Sequence, residues 1–119
     1  MIDIERYHIP GAEKVLVLGL SGRLDNETSD FLMNYIEGEI EDNNPWIVVD
    51  CHAMDYITSL GLGTLVRIQA RMKSKGGLVK LARVDGVIAE ILKMVRLDLL
   101  FQIYPTVHAA CESFADANE

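Results

Sequence analysis

Thr58 and Ser59 stand between an apolar run and two closely spaced glycines, Gly61 and Gly63, in the stretch "DYITSLGLGTLV" (55–66). Hydroxyls beside glycines can serve a phosphate-cradling loop or an activated nucleophile. Both need partners that this stretch lacks. A G-x-G-x-x-G loop requires glycine where Val66 stands, and a G-x-S-x-G elbow requires it at Ile57. The chain has no G-x-x-x-x-G-K-[ST] loop. His8, His52 and His108 are scattered without metal-ligand spacing, and there is no C-x-x-C. No Ser–His or Cys–His pair stands out, and the many acids read as surface charge rather than catalytic pairs. The expectation is a protein that is not an enzyme, with no catalytic residues, no metal and no cofactor.

What remains is the junction itself. Thr58 and Ser59 both suit a helix N-cap, since a hydroxyl accepts from the unpaired N–H groups of the first turn. Gly61 and Gly63 strip side chains from that turn. Either the helix packs closely on its neighbours or another molecule approaches its backbone. On the residues alone, a cap with close packing is the simpler reading.

The elements that must hold this junction follow from periodicity. Ile2 to Ile9 roughly alternates and reads as a strand, and Lys14 to Leu20 as a central one. "SGRLDNETS" breaks that run, and Asp25 or Asn26 can cap the helix that follows. That helix carries Phe31, Leu32, Tyr35, Ile36 and Ile40 on one face and Glu37, Glu39, Glu41 and Asp42 on the other. "WIVVDC" (46–51) is nearly continuous and apolar, which suits a strand buried on both faces. After the junction, Leu62, Leu65, Val66, Ile68 and Met72 predict a helix from about Gly61 to Lys75, closed by "KGG". A strand over 78–84, a helix bearing Ile88, Ile91, Leu92 and Val95, and a strand over 99–104 come next. A final helix opens at Pro105 and Thr106 and ends near Phe114, with "ADANE" as a frayed tail. Met54, Tyr56 and Ile57 read as core, as do Met33, Met72 and Met94 on their helical stripes. The fold class is α/β: a single domain spanning residues 1–119, with a mixed, mostly parallel sheet and packed helices.

Bulk properties narrow the partners. The 119 residues suit one core, and half are hydrophobic. A formal net charge of −7 disfavours nucleic acid and fits a partner with a basic surface better. The densest basic stretch, Arg67 to Lys75, reads as a solvated helix face whose cations suit a helix C-terminus. No run approaches bilayer length and the N-terminus has no leader pattern, so the expectation is a cytoplasmic chain without membrane insertion. Cys51 and Cys111 read as buried, reduced thiols.

"TSLGLG", preceded by "WIVVDCHAMDYI" and followed by a helix ending in "KGG", resembles the D-S-S-G-L-G signature of STAS domains, the bacterial anti-sigma factor antagonists and their relatives. "GRLD" (22–25) resembles the G-x-L-D turn after the family's second strand, and the order of elements matches from Lys14 to about Phe114. The resemblance implies a non-enzymatic regulator of sigma-dependent transcription. Its partners would be an anti-sigma factor that is also a serine kinase, and a phosphatase. The phosphorylated serine would be Ser59, with Thr58 as the rival acceptor. Arg23, Asp25, Thr58, Ser59, Leu60, Gly61 and Leu62 would border the partner. From the residues themselves, Asp25 is equally a cap and Arg23 equally a solvated turn residue. Thr58 stands where the family has Asp, and Leu60 where it has a second Ser. These departures leave open a second reading: an unphosphorylated scaffold or accessory subunit of a phospholipid transport or stressosome-like complex.

Overall fold

The computed structural model describes residues 1–117, with side chains as far as Phe114. Five strands form one sheet in the order β1-β2-β3-β4-β5. They are β1 (Ile2–Tyr7), β2 (Leu16–Leu24), β3 (Trp46–Ile57), β4 (Leu78–Ala82) and β5 (Ile103–Tyr104). β1 runs antiparallel to β2, and the remaining pairs are parallel. The helices are α1 (Ser29–Glu41), α2 (Ser59–Ser74), α3 (Gly86–Met94) and α4 (Val107–Ala117).

Alternation along the strands builds two cores. Leu16, Leu18, Leu20, Ile47, Val49, Val79 and Leu81 face one side and pack against Leu32 and Ile36 of α1, Leu65, Ile68 and Met72 of α2, and Ile88 and Leu92 of α3. Val17, Val48 and Ala82 face the other side, where α4 brings Ala110, Cys111 and Phe114. Phe114 stacks on Trp46 with ring centroids 5.7 Å apart. Burial on both faces explains why "WIVVDC" lacks alternation. Cys51 and Cys111 are buried free thiols, and burial pushes Cys51 up to about 12.

Several expectations are corrected. β2 and β3 continue past Leu20 and Cys51, so "SGRL" and "HAMDYI" are strand rather than loop. Register shifts between Gly19 and Ser21 and between Gly22 and Arg23 disrupt the two-residue alternation there, which hides the strand from a periodicity reading. β1 stops at Tyr7. Glu39 is buried rather than on the acidic outer face, held by Arg6 at 2.9 Å and Asn44 at 3.0 Å. Phe31, Val66, Val95 and Met94 are exposed, Met94 to 80%, because they fall outside the buried stripes of their helices or past a helix end. Instead of a strand from Leu99, a 3₁₀ turn covers Leu97–Leu99, started by Arg96 at φ 61°, and β5 keeps two residues. α4 extends to Ala117, so the start of the expected frayed tail is helical; Asn118 and Glu119 lie outside the described residues.

Gln69 of α2 accounts for part of that shortening. Its side chain is buried against β4, where Nε2 donates to the Val79 carbonyl and Oε1 accepts from the Val79 N–H, both at 2.9 Å. One amide thus occupies the ladder position beside Val79.

Candidate functional site

β2 and β3 end side by side, with Arg23 opposite Tyr56 and Leu24 opposite Ile57. Each strand feeds a helix, so the two sequence motifs meet in space. The Thr58 N–H donates to the Leu24 carbonyl at 3.0 Å, tying the start of α2 to the end of β2.

On the α1 side, the chain turns through Asp25–Thr28. Asp25 Oδ1 accepts from the N–H groups of Glu27 at 3.0 Å and Thr28 at 3.1 Å. The Asp25 carbonyl accepts from the Ser29 N–H at 3.0 Å, so the turn runs straight into the helix. Asp25 therefore plays the capping part, although Thr28 is the residue that directly precedes α1. Burial pushes the Asp25 carboxyl up, but the N–H bonds from Thr28 and Glu27 outweigh it and hold the group below its usual range. Arg23 leans 3.6 Å from Asp25 Oδ2, and its guanidinium lies 5.1 Å from the centre of the Tyr56 ring. Tyr56 is nonetheless 40% exposed, which corrects its assignment to the core.

On the α2 side, Thr58 is the cap. Its backbone is extended (φ −93°, ψ 173°), and its Oγ1 accepts from the Gly61 N–H at 3.2 Å. The Thr58 hydroxyl in turn donates to Asn26 Oδ1 at 3.4 Å, bridging the two helix starts. Ser59 is the first residue of α2 rather than a second cap, so the helix begins two residues earlier than Gly61. Ser59 is exposed, and its hydroxyl has no hydrogen-bond partner among the described residues.

The two glycines do different things. A Cβ on Gly61 would overlap the Leu24 carbonyl oxygen and sit 3.0 Å from Ile57 Cγ1 and Leu24 Cγ. Gly61 is buried and lets α2 sit down on the end of β2. A Cβ on Gly63 would meet nothing within 4 Å, and Gly63 is exposed. Close packing thus accounts for Gly61, while Gly63 leaves open space on the exposed side of the helix. Arg23, Ser59 and Leu60 are exposed here, Asp25 and Thr58 are partly so, and Leu62 is half-buried. Gly61 faces inward and offers no surface for contact. Asn26, Tyr56 and Gly63 also belong to this surface; the sequence offered Asn26 only as a cap, Tyr56 as core and Gly63 as a bare turn position, and placed none of them at the partner border. Two of them follow signals that were present: Asn26 neighbours the capping Asp25, and Gly63 lies four residues past the first helical residue.

Cavities of about 350 Å³ at the C-terminal ends of α1 and α2, and about 580 Å³ beside β5, are lined by other residues. Among the described residues no group of three or more His, Cys, Asp or Glu is placed to hold a metal ion. No helix among them is long and apolar enough to cross a membrane.

Comparison with known proteins bears on the whole of this arrangement. One family profile, the STAS domain, matches residues 4–110. An anti-sigma F factor antagonist of Paenibacillus polymyxa is 29% identical over 104 residues, which is 87% of this chain and 86% of the relative. Among solved structures, an anti-sigma factor antagonist from Mycobacterium paratuberculosis superposes with a TM-score of 0.81 at 24% identity, covering 95% of this chain and 93% of that one. The Bacillus cell fate determinant SpoIIAA in its phosphorylated form superposes with a TM-score of 0.71 at 14% identity, covering 94% and 99%. The two structural likenesses speak for a common fold.

Proposed function

The chain belongs to the STAS domain family, and on that premise we propose that it is an anti-sigma factor antagonist whose docking surface is switched by phosphorylation of Ser59. In this reading it is a non-catalytic regulator. Its partners are a kinase-type anti-sigma factor and a phosphatase that resets it, and it acts in the cytoplasm without contacting nucleic acid itself. The P. polymyxa relative, an anti-sigma F factor antagonist, supports the assignment of role.

The observation that carries the switch is the difference between the two neighbouring hydroxyls. Thr58 is engaged on both sides, by the Gly61 N–H and by Asn26. A phosphate there would cost the helix its cap. Ser59 is exposed and unengaged among the described residues, one position inside the helix. A phosphate on Ser59 carries nearly two negative charges beside the positive end of α2. That placement is favourable by about 0.3–1 kcal/mol at an exposed terminus. The fold therefore tolerates the modification, and its effect falls on the partner, which would have to desolvate and accommodate a dianion.

The test pairs an in-vitro kinase reaction, read by tandem mass spectrometry, with a pull-down on the kinase-type anti-sigma factor encoded alongside the chain. Ser59→Ala is expected to bind and to take no phosphate. Ser59→Asp is expected to keep the wild-type melting temperature and bind weakly. Thr58→Ala, the control, is expected to keep the phosphate. If wild type gains no phosphate and Ser59→Asp binds as wild type does, the switch fails and the scaffold or transport-accessory reading takes its place.

A further inference from the structure

Helix α2 carries Arg67, Arg71 and Lys73 and no carboxylate, in a chain whose formal net charge is −7. The charge of the whole molecule and the charge of this face therefore have opposite signs. Leu60, Gly63, Val66, Arg67, Ala70 and Lys73 are all exposed, and their spacing puts them on one side of the helix. Leu60 and Val66 make the half nearest the cap apolar, exposed to 47% and 39%. Gly63 and Ala70 keep the middle low, and Arg67 and Lys73 make the far half basic.

Ordinary salt bridges do not use up these cations. Arg71 is taken by Glu37 of α1 at 2.8 Å. Arg67 donates only within its own helix, to Thr64 Oγ1 at 3.1 Å. Among the described residues neither Arg67 nor Lys73 has a carboxylate partner. On the flank, α1 packs against α2; its Glu37 is already neutralised by Arg71, while Glu41 and, just past the helix end, Asp42 stay exposed. Those two acids disfavour an acidic ligand on the α1 side of the far half.

We propose that this face docks an acidic amphipathic helix of the anti-sigma partner, with apolar side chains over Leu60 and Val66 and carboxylates over Arg67 and Lys73. The inference rests on the antagonist reading for the partner's identity, and it adds the partner's chemistry. It also gives the switch a second cause. A phosphate on Ser59, next to Leu60, sets nearly two negative charges on a face that attracts acid through two unpaired cations. The acidic helix is then repelled at the end where its apolar anchors dock.

The test uses designed peptides, so it needs no kinase and fails or succeeds independently of the Ser59 reaction. Two helical peptides of about 20 residues share one leucine stripe and carry either Glu or Lys elsewhere. They are titrated into the ¹⁵N-labelled full chain. The Glu peptide is expected to shift the amides of Leu60, Gly63, Val66, Arg67, Ala70 and Lys73, and to weaken between about 0.05 and 0.5 M salt. The Lys peptide is expected to leave them in place. Arg67→Glu with Lys73→Glu should weaken the Glu peptide by at least about tenfold, and Arg67→Gln with Lys73→Gln by less. Lys14→Glu with Lys93→Glu, the same charge change off α2, should keep it. Any one of three results overturns the proposal: no shifts on α2, equal binding of the Lys peptide, or full binding by the Glu double variant. Shifts on α2 that grow with protein concentration alone would assign the face to a second copy and overturn it as well.

Discussion

Alanine at Gly61 places a methyl group against the Leu24 carbonyl oxygen and the side chains of Ile57 and Leu24. That oxygen is fixed, because it also accepts from the Thr58 N–H at 3.0 Å. Relief requires lifting the first turn of α2 off the end of β2. Overpacking of this kind costs about 1–3 kcal/mol. Against it stands the helical preference of alanine over glycine, about 0.5–1 kcal/mol. The net expectation for Gly61→Ala is a loss of about 1–2 kcal/mol. Gly63→Ala has the same propensity gain and no neighbour within 4 Å, so it should stabilise by about 0.5–1 kcal/mol. The two variants then differ by about 1.5–3 kcal/mol, or roughly 6–12 °C in Tm for a chain of this size. Thermal and urea denaturation measure the difference. Hydrogen exchange localises it, since the Thr58 amide should exchange faster in Gly61→Ala and not in Gly63→Ala. If both alanines stabilise, or if they differ by less than about 0.5 kcal/mol, the assignment of one glycine to packing and the other to open surface is wrong.

Thr58→Ala removes the bond to the Gly61 N–H and is expected to cost about 0.5–2 kcal/mol in urea melts, while Thr58→Asp, which keeps an acceptor at the cap, should stay close to wild type. The Asp25 carboxyl has a folded pKa held below its unfolded one, so its contribution is complete above the unfolded pKa and is lost as pH falls through the folded value. Asp25→Asn should flatten that part of the acid limb of a stability–pH curve, and an NMR titration should place the wild-type midpoint below the usual carboxylate range. Neither buried thiol should react with a thiol reagent until the chain unfolds, Cys51 least of all with its pKa pushed up to about 12.

The architecture was legible because most of its signals are local and strong. Val48 and Val49 sit in an unbroken apolar run because helices cover both faces of β3. The stop of α2 was equally plain: the Gly76 and Gly77 N–H groups donate back to the Lys73 and Met72 carbonyls, with Gly76 at φ 79°. What escaped depends on partners distant in the chain. The outer half of β3 buries only Met54 and Ile57, three residues apart, a spacing that breaks a strand's two-residue period. Glu39 looks like any other acid on α1 until Arg6, thirty-three positions away, is brought to it. At the site, Thr58 and Ser59 were equivalent as caps on paper. Only the backbone separates them, placing one hydroxyl over the Gly61 N–H and leaving the other outside.

The amide of Gln69 also decides what the last rung of the sheet can tolerate. A sheet that ends on a two-residue strand leaves its neighbour without strand partners for much of its length. Here a single side chain takes the next rung, giving and accepting a bond at Val79 as a strand would, and its Nε2 also reaches the Leu100 carbonyl at 3.3 Å. Gln69 and Val79 are both buried, so neither water nor a second copy can stand in for those bonds. Leucine is close to glutamine in size and would fill the same space, yet it would leave the Val79 N–H and carbonyl buried without partners, at about 1–3 kcal/mol for each group. The defect would appear as a lowered melt rather than as association between copies.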